Sequence, residues 1–115
     1  MITDTPIVTI GEPSPARIVE GDSLLIPCSA HSHPDITTVE WYNGDTLVDN
    51  PGSTLQDPSL RKDNIQREDR GNYKCRVGNE VGHTDSSEVT LEVLCKYKNV
   101  LIKIFILFCL TPIHH

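Results

Sequence analysis

The chain has 115 residues, of which 37% are hydrophobic and 23% are charged. This length and composition are typical of one folded domain of ordinary size. The net charge is −6, but the charge is unevenly distributed. Residues 1–94 contain seven Lys and Arg and sixteen Asp and Glu, so their charge is −9. Residues 95–115 contain three Lys and no acidic residue, so their charge is +3. An acidic domain lacks the basic face that nucleic acids and anionic membranes require, so we expect neither as its partner.

The stretch after Met1, ITDTPIVTIG, contains neither a basic start nor a continuous apolar core. A secretory signal needs both, so the sequence shows none. Two interpretations are open: the protein is cytosolic, or the chain is an incomplete gene product that starts upstream.

Short runs of alternating apolar and polar residues recur between turn signals, and no helical period continues for more than a few residues. Residues 7–10 and 16–19 predict two edge strands separated by the turn GEPSP, Leu47 and Val48 predict a brief strand, and residues 48–59 predict a loop. About seven strands at this spacing predict an all-β sandwich. The predicted inward positions of the other strands are Leu24, Ile26 and Cys28, then Val39 and Trp41, then Tyr73, Cys75 and Val77, and finally Val89, Leu91 and Val93.

The heptapeptide DRGNYKC, residues 69–75, places Tyr73 and Cys75 at alternate positions, which lie on one face of a strand. Cys75 follows the inward Cys28 by 47 residues, and the inward Trp41 lies between them. A disulfide between two sheets, packed on a Trp, is a typical supplement to the thin core of a small secreted sandwich. We therefore predict a disulfide between Cys28 and Cys75.

Three residues in front of Cys75 have predicted structural roles. Gly71 permits a sharp turn into the strand, and Asp69 can accept backbone N–H bonds within that turn. Tyr73, two positions before the Cys, can donate its hydroxyl to the chain upstream, an arrangement called a tyrosine corner.

The pattern Cys28…Trp41…DRGNYKC resembles the immunoglobulin fold, and CRVGNEVG (75–82) followed by VTLEV (89–93) is similar to its intermediate-set or constant-like extracellular modules. Such modules usually read C-x-A-x-N-x-x-G, and Val77 stands where Ala is commoner. The resemblance covers roughly residues 5–94 and points to repeated modules of adhesion proteins: inner domains of sialic-acid-binding lectins, hemicentin-like matrix proteins and neural adhesion molecules. It implies an immunoglobulin-like β-sandwich of about seven strands with Greek-key topology and one inter-sheet disulfide.

Lys62 departs from this resemblance, because an apolar residue usually stands at its position before the second Cys. Alternation with Leu60 would point the Lys62 ammonium inward, which is costly unless the charge is paired or reaches the rim. We expect a local bulge that turns Lys62 outward.

Three histidines are candidate metal ligands. His31 and His33 are predicted to lie in a loop with Asp35, and the resemblance places that loop at the same end of the sandwich as His83. Such a group would suit zinc or a pH switch. Solvated loop histidines are the simpler interpretation, so we expect no metal and no cofactor.

The sequence contains no nucleophile elbow, glycine-rich phosphate loop or metal-spaced cysteine set, so we expect no enzymatic activity. The resemblance implies binding through loop ends or through one exposed sheet face, where Glu40, Tyr42, Lys74 and Arg76 should point outward. An ordinary solvated face is the simpler interpretation; if the face binds, Tyr42 and Arg76 are the residue types most often found as anchors.

Residues 95–115, CKYKNVLIKIFILFCLTPIHH, differ in composition from the rest. The apolar run at residues 100–110 contains Lys103, whereas a membrane helix needs about twenty apolar residues. Two interpretations are open: a truncated anchor, or translation into an intron, because Cys-Lys-Tyr can be encoded by the preferred start of an intron. In both, the tail lies outside a domain at residues 5–94, and membrane contact occurs only through missing or truncated segments.

We interpret the chain as a non-catalytic module of a cell-surface or extracellular adhesion or receptor protein. It would recognise a protein ligand or neighbouring immunoglobulin domains and act as a spacer in a tandem array. Two alternatives are an intracellular structural module of the giant muscle-protein type and an ectodomain fragment of a receptor enzyme. The oxidation state of Cys28 and Cys75 distinguishes the first alternative, and the neighbouring sequence reveals the second.

Overall fold

The computed structural model describes residues 4–96 and 106–108, and it describes Lys96 and residues 106–108 by their backbone alone. The described residues form β-strands and one 3₁₀ turn at Arg67–Asp69. The strands are β1 (Asp4–Ile10), β2 (Arg17–Val19), β3 (Leu24–Ile26), β4 (Cys28–His33), β5 (Thr38–Asn43), β6 (Thr46–Leu47), β7 (Leu60–Lys62), β8 (Gly71–Gly78), β9 (His83–Asp85), β10 (Val89–Lys96) and β11 (Ile106–Phe108).

The strands form two layers. In the first layer, β1 pairs with β4 and β3 pairs with β7, both antiparallel. The second layer has the order β11-β10-β8-β5-β6, with β9 along β8 and β2 parallel to β10. Since β4 and β5 lie in different layers, as do β7 and β8, the chain crosses between the layers in the manner of a Greek key. The predicted all-β sandwich is confirmed.

The core lies between the two layers, and the predicted alternation is confirmed. Of the predicted inward residues, Val39 is half-buried and the others named for these strands are buried. Trp41 is fully buried, and its indole Nε1 donates a hydrogen bond of 2.7 Å to the Pro58 carbonyl. A buried Trp needs such an acceptor, because an unpaired N–H in the core is costly.

His31 and His33 lie in β4, so their predicted placement in a loop is wrong. β4 continues to His33 because it pairs with β1, in which Ile7 opposes His31 and Asp4 opposes His33. Both imidazoles are exposed on the outer side of this strand. Backbone pairing with β1 therefore extends the strand through residues whose polar side chains gave no strand signal.

Asn79 organises the turn between β8 and β9. Its Oδ1 accepts hydrogen bonds from the backbone N–H groups of Val81 (2.9 Å) and Gly82 (3.2 Å). Its Nδ2 donates to the backbone carbonyl of Asp4 at 2.7 Å. One buried amide thus shapes the turn and ties it to the start of β1, which gives a physical reason for Asn in the sequence CRVGNEVG.

Lys62 lies on the inward face of β7, so the expected bulge is wrong. Leu24 opposes Lys62 and Ile26 opposes Leu60 without a register shift. The Lys62 ammonium reaches the rim, where Nζ lies 3.9 Å from Oδ1 of Asp69 and the side chain stays 35% exposed. Pairing and a rim position together remove the cost that an inward charge would carry.

We expect Lys62→Leu to raise the free energy of unfolding by about 1 kcal/mol, measured by urea denaturation. A Leu at this position would bury apolar surface beside Leu24, while Asp69 would keep the hydrogen bond of 2.8 Å from the Gln66 backbone N–H. Arg61→Leu, one residue away on the exposed side of β7, is the matched control and should not stabilise. A loss of stability in Lys62→Leu would show that the ion pair contributes more than apolar burial does.

Strands β10 and β11 include part of residues 95–115, the segment whose composition differs from the rest of the chain. β10 continues to Lys96, and Ile106–Phe108 pairs antiparallel with its end, with Leu94 opposite Phe108. The boundary at residue 94 stays a prediction, and most of the tail lies outside the described residues. In the described part of the chain, no helix has the length and apolar character needed to cross a membrane.

Candidate functional site

The exposed sheet face that was predicted as a binding surface is formed by two neighbouring strands. Glu40 and Tyr42 lie on β5, and Lys74 and Arg76 lie on β8. In the antiparallel register Glu40 opposes Arg76 and Tyr42 opposes Lys74. These residues alternate with the buried Trp41 and point away from the core, each of them half-buried. The structure therefore brings all four together on one outer surface.

The Tyr42 ring is the centre of this surface. The Arg76 guanidinium carbon lies 5.0 Å from the ring centroid, and Lys74 Nζ lies 6.0 Å from it, both within the range of a cation–π contact. The Tyr42 hydroxyl donates a hydrogen bond of 3.2 Å to Oε1 of Glu40. The aromatic ring is thus held between cations on one strand and a carboxylate on its own strand.

Asp85, on β9, is a further member of this cluster that the sequence analysis missed. Its carboxylate accepts two hydrogen bonds from Arg76, at 2.7 and 3.2 Å, and lies 3.2 Å from Lys74 Nζ. β9 is a strand of three residues, HTD, and its register against β8 places Asp85 opposite Arg76. We call Glu40, Tyr42, Lys74, Arg76 and Asp85 the charged face.

The cations of the charged face lower the pKa of the Asp85 carboxylate. The hydrogen bonds from Arg76, assisted by Lys74, lower the pKa of Asp85 from 3.8 to about 2. Hydrogen bonds and nearby positive charges both favour the ionised carboxylate, which opposes the effect of partial burial. Asp85 therefore stays charged down to strongly acidic pH and keeps the two cations in place.

We expect Asp85→Asn to lower the free energy of unfolding at neutral pH by about 1 kcal/mol, a value discounted because the carboxylate is 31% exposed. Since the folded pKa is depressed, the stabilisation is complete above the unfolded pKa of about 4 and is lost as the pH falls towards 2. Urea denaturation between these pH values should therefore show a smaller acid dependence for the variant. Asp45→Asn, an exposed carboxylate in the β5–β6 turn, is the control; an equal change there would contradict the assignment.

The predicted cysteine pair lies in the core between the layers. Cys28 and Cys75 are both buried and are free thiols in the structure. The interaction with the neighbouring Cys28 thiol, together with burial, raises the pKa of the Cys75 thiol. The structure holds no bond between these two sulfurs, and the disulfide stays a prediction.

The residues in front of Cys75 form a connected turn. The Tyr73 hydroxyl donates to the Asp69 carbonyl, the contact expected of a tyrosine corner, and the Asp69 carboxylate accepts the Gln66 backbone N–H. Burial is the main cause that raises the pKa of Tyr73 to about 12. Asn43, which the sequence analysis did not single out, donates from Nδ2 to the Arg70 carbonyl at 3.0 Å and also contacts the Tyr73 hydroxyl.

The three candidate metal ligands do not converge. His31 and His33 lie on β4, whereas His83 begins β9 in the other layer. Among the residues described, no group of three or more His, Cys, Asp or Glu side chains has an arrangement that could hold a metal ion.

Comparison with known proteins agrees with this architecture. The family model described as "Immunoglobulin domain" matches residues 6–93. Human hemicentin-1 is 33% identical over 92 residues, which cover 77% of this chain and 2% of hemicentin-1. The mouse neural cell adhesion molecule L1-like protein is 28% identical over 96 residues, which cover 81% of this chain and 8% of that protein.

A solved structure is similar as well. The N-terminal Ig1-2 module of the Drosophila receptor protein tyrosine phosphatase DLAR is 29% identical, with a TM-score of 0.61, over 79% of this chain and 47% of that module. The chain therefore spans less than half the length of each of these relatives. Since the family model covers both layers of the sandwich, the chain belongs to the immunoglobulin domain family and is related to adhesion proteins and receptor ectodomains.

Proposed function

We propose that the chain is a non-catalytic module of a cell-surface or extracellular adhesion or receptor protein. It recognises another protein and serves as a spacer between neighbouring immunoglobulin domains in a tandem array. The relationship to adhesion proteins and receptor ectodomains supports this class of function.

The charged face is the proposed contact surface, and one observation carries this choice. Tyr42 is held between Arg76 and Glu40 before any partner binds, and Asp85 fixes Arg76 through two hydrogen bonds. Tyr and Arg are enriched among interface residues whose truncation costs the most affinity. Because these side chains are already ordered, binding through them loses little conformational entropy.

The test is a binding screen of the full chain, displayed as a multimer, against the ectodomains of adhesion proteins, with the chain itself included. For a partner found in this way, Tyr42→Ala and Arg76→Ala should each weaken binding by about tenfold or more. Arg61→Ala is the matched control, because Arg61 is also ion-paired, to Asp57 at 2.9 Å, but lies on the opposite layer. No partner in the screen, or an equal loss with Arg61→Ala, would contradict the proposal.

A second candidate is the ectodomain fragment of a receptor enzyme, which the similarity to a receptor protein tyrosine phosphatase favours. In that protein the module would still act by recognition, and the reaction would belong to another domain. The sequence of the spliced transcript across both ends of this chain is the test. A reading frame that joins the module to a catalytic domain supports this candidate, and one that joins it to further immunoglobulin domains and an anchor supports the adhesion protein.

A further inference from the structure

A cavity of about 460 Å³ opens near one end of the sandwich, between β6, β7 and the 3₁₀ turn. Its volume lies within the range of protein sites that hold small ligands or single side chains. It is separate from the charged face, because β5 contributes Asn43 to its lining, and Asn43 points to the opposite side of the sheet from Tyr42.

The cavity carries an excess of negative charge. Asp49, Glu68 and Asp69 line it, and Lys62 is the cation among its lining residues. Asp69 is already engaged by Lys62 and by the Gln66 backbone N–H. Asp49 and Glu68 are exposed and have no hydrogen bond or ion pair with any described residue.

The remaining lining consists of Leu47, Val48, Leu60 and Tyr73, together with the polar Asn43 and Thr46. Leu47, at the edge of the second layer, keeps 49% of its surface exposed, and Val48 beside it is half-buried. Leu60 and Tyr73 form the buried floor. An apolar wall beside two unpaired carboxylates suits a guest with an aliphatic stem and a cationic end.

We propose that this cavity binds an arginine side chain presented by a partner protein. The stem would lie against Leu47 and Val48, and the guanidinium would reach Asp49 and Glu68. A guanidinium has five N–H donors in a planar fork, so it can serve two carboxylates at once, and it loses hydration more readily than a lysine ammonium.

Charge complementarity extends beyond the cavity. Residues 1–94 carry seven basic and sixteen acidic side chains, so the domain as a whole attracts a basic partner surface. The cavity contains none of the residues of the charged face. A negative result at one of the two surfaces therefore does not contradict the proposal made for the other.

The test is a ¹H–¹⁵N NMR titration of the full chain with N-acetyl-L-arginine amide. We expect a dissociation constant on the order of 1 mM, with shift changes centred on the amides of Leu47, Val48, Glu68 and Asp69. N-acetyl-L-citrulline amide is the control probe, because it has nearly the same shape without the positive charge. The citrulline probe should give no localised shift changes.

The double variant Asp49→Asn/Glu68→Gln removes both unpaired carboxylates and should weaken binding of the arginine probe at least about fivefold. Asp45→Asn removes a nearby exposed charge outside the cavity and should leave binding unchanged. The proposal is overturned if the arginine probe causes no localised shifts, if citrulline amide binds equally well, or if the double variant binds as tightly as the original chain.

Discussion

Oxidation of Cys28 and Cys75 to a disulfide is expected to raise the free energy of unfolding by about 4 kcal/mol. The bond would close a loop of 47 residues and so restrict the unfolded chain, which is the main source of the effect in the chain-entropy model. The structure favours the reaction, because the two thiols lie on strands of facing layers and interact with each other in the core.

The measurement is urea denaturation of the oxidised and the reduced chain in a Cys95→Ser/Cys109→Ser background, so that the other two cysteines do not respond to the reductant. A Cys28→Ala/Cys75→Ala variant in the same background is the control and should give equal midpoints with and without reductant. Equal midpoints in the chain that keeps Cys28 and Cys75 would show that the pair does not form the bond.

The oxidation state of Cys28 and Cys75 in the natural protein distinguishes an extracellular module from an intracellular structural module. Because Cys28 and Cys75 are both buried, their thiols are shielded from an alkylating reagent in the folded chain. Alkylation must therefore follow denaturation, with peptide mass spectrometry to locate the label. Blocked cysteines at 28 and 75 support an extracellular module, and two labelled thiols support the intracellular structural alternative.

Period-two alternation was sufficient to predict the part of the core that lies in β3, β4, β5, β8 and β10, but not Ile65, which is fully buried outside the strands. Leu24, Ile26, Tyr73 and Val93 all occupy the buried positions that alternation assigned to them. Apolar burial on one face of a strand leaves a direct trace in the sequence, because successive side chains point to opposite sides. The outward placement of Tyr42 follows from the same rule.

Side-chain contacts between different strands and turns leave no such trace. Asp85 lies in a strand of three polar residues, and only its register with β8 brings it to Arg76. The Lys62 ammonium reaches the rim because its side chain is long, and the backbone register of β7 does not change. The cavity is formed by separate segments, and no motif records that Asp49 and Glu68 line the same space.

Gly71→Ala is expected to lower the free energy of unfolding by about 2–3 kcal/mol, the second-largest effect predicted for this chain. Gly71 has a φ of +148°, a backbone conformation that side chains disfavour, and a Cβ there would lie 2.0 Å from Oδ1 of Asn43. The collision would displace the Asn43 amide from the Arg70 carbonyl and from the tyrosine corner. Thermal and urea unfolding measure the loss.

Two further variants separate backbone strain from the collision. Gly44→Ala introduces a side chain at a φ of +61° with no atom within 4 Å, so it measures strain alone and should cost about 1 kcal/mol. In an Asn43→Ala background the collision partner is gone, and Gly71→Ala should then cost about 1 kcal/mol less than it does in the original chain. An undiminished cost in that background would show that the backbone conformation, and not Asn43, requires glycine at the start of β8.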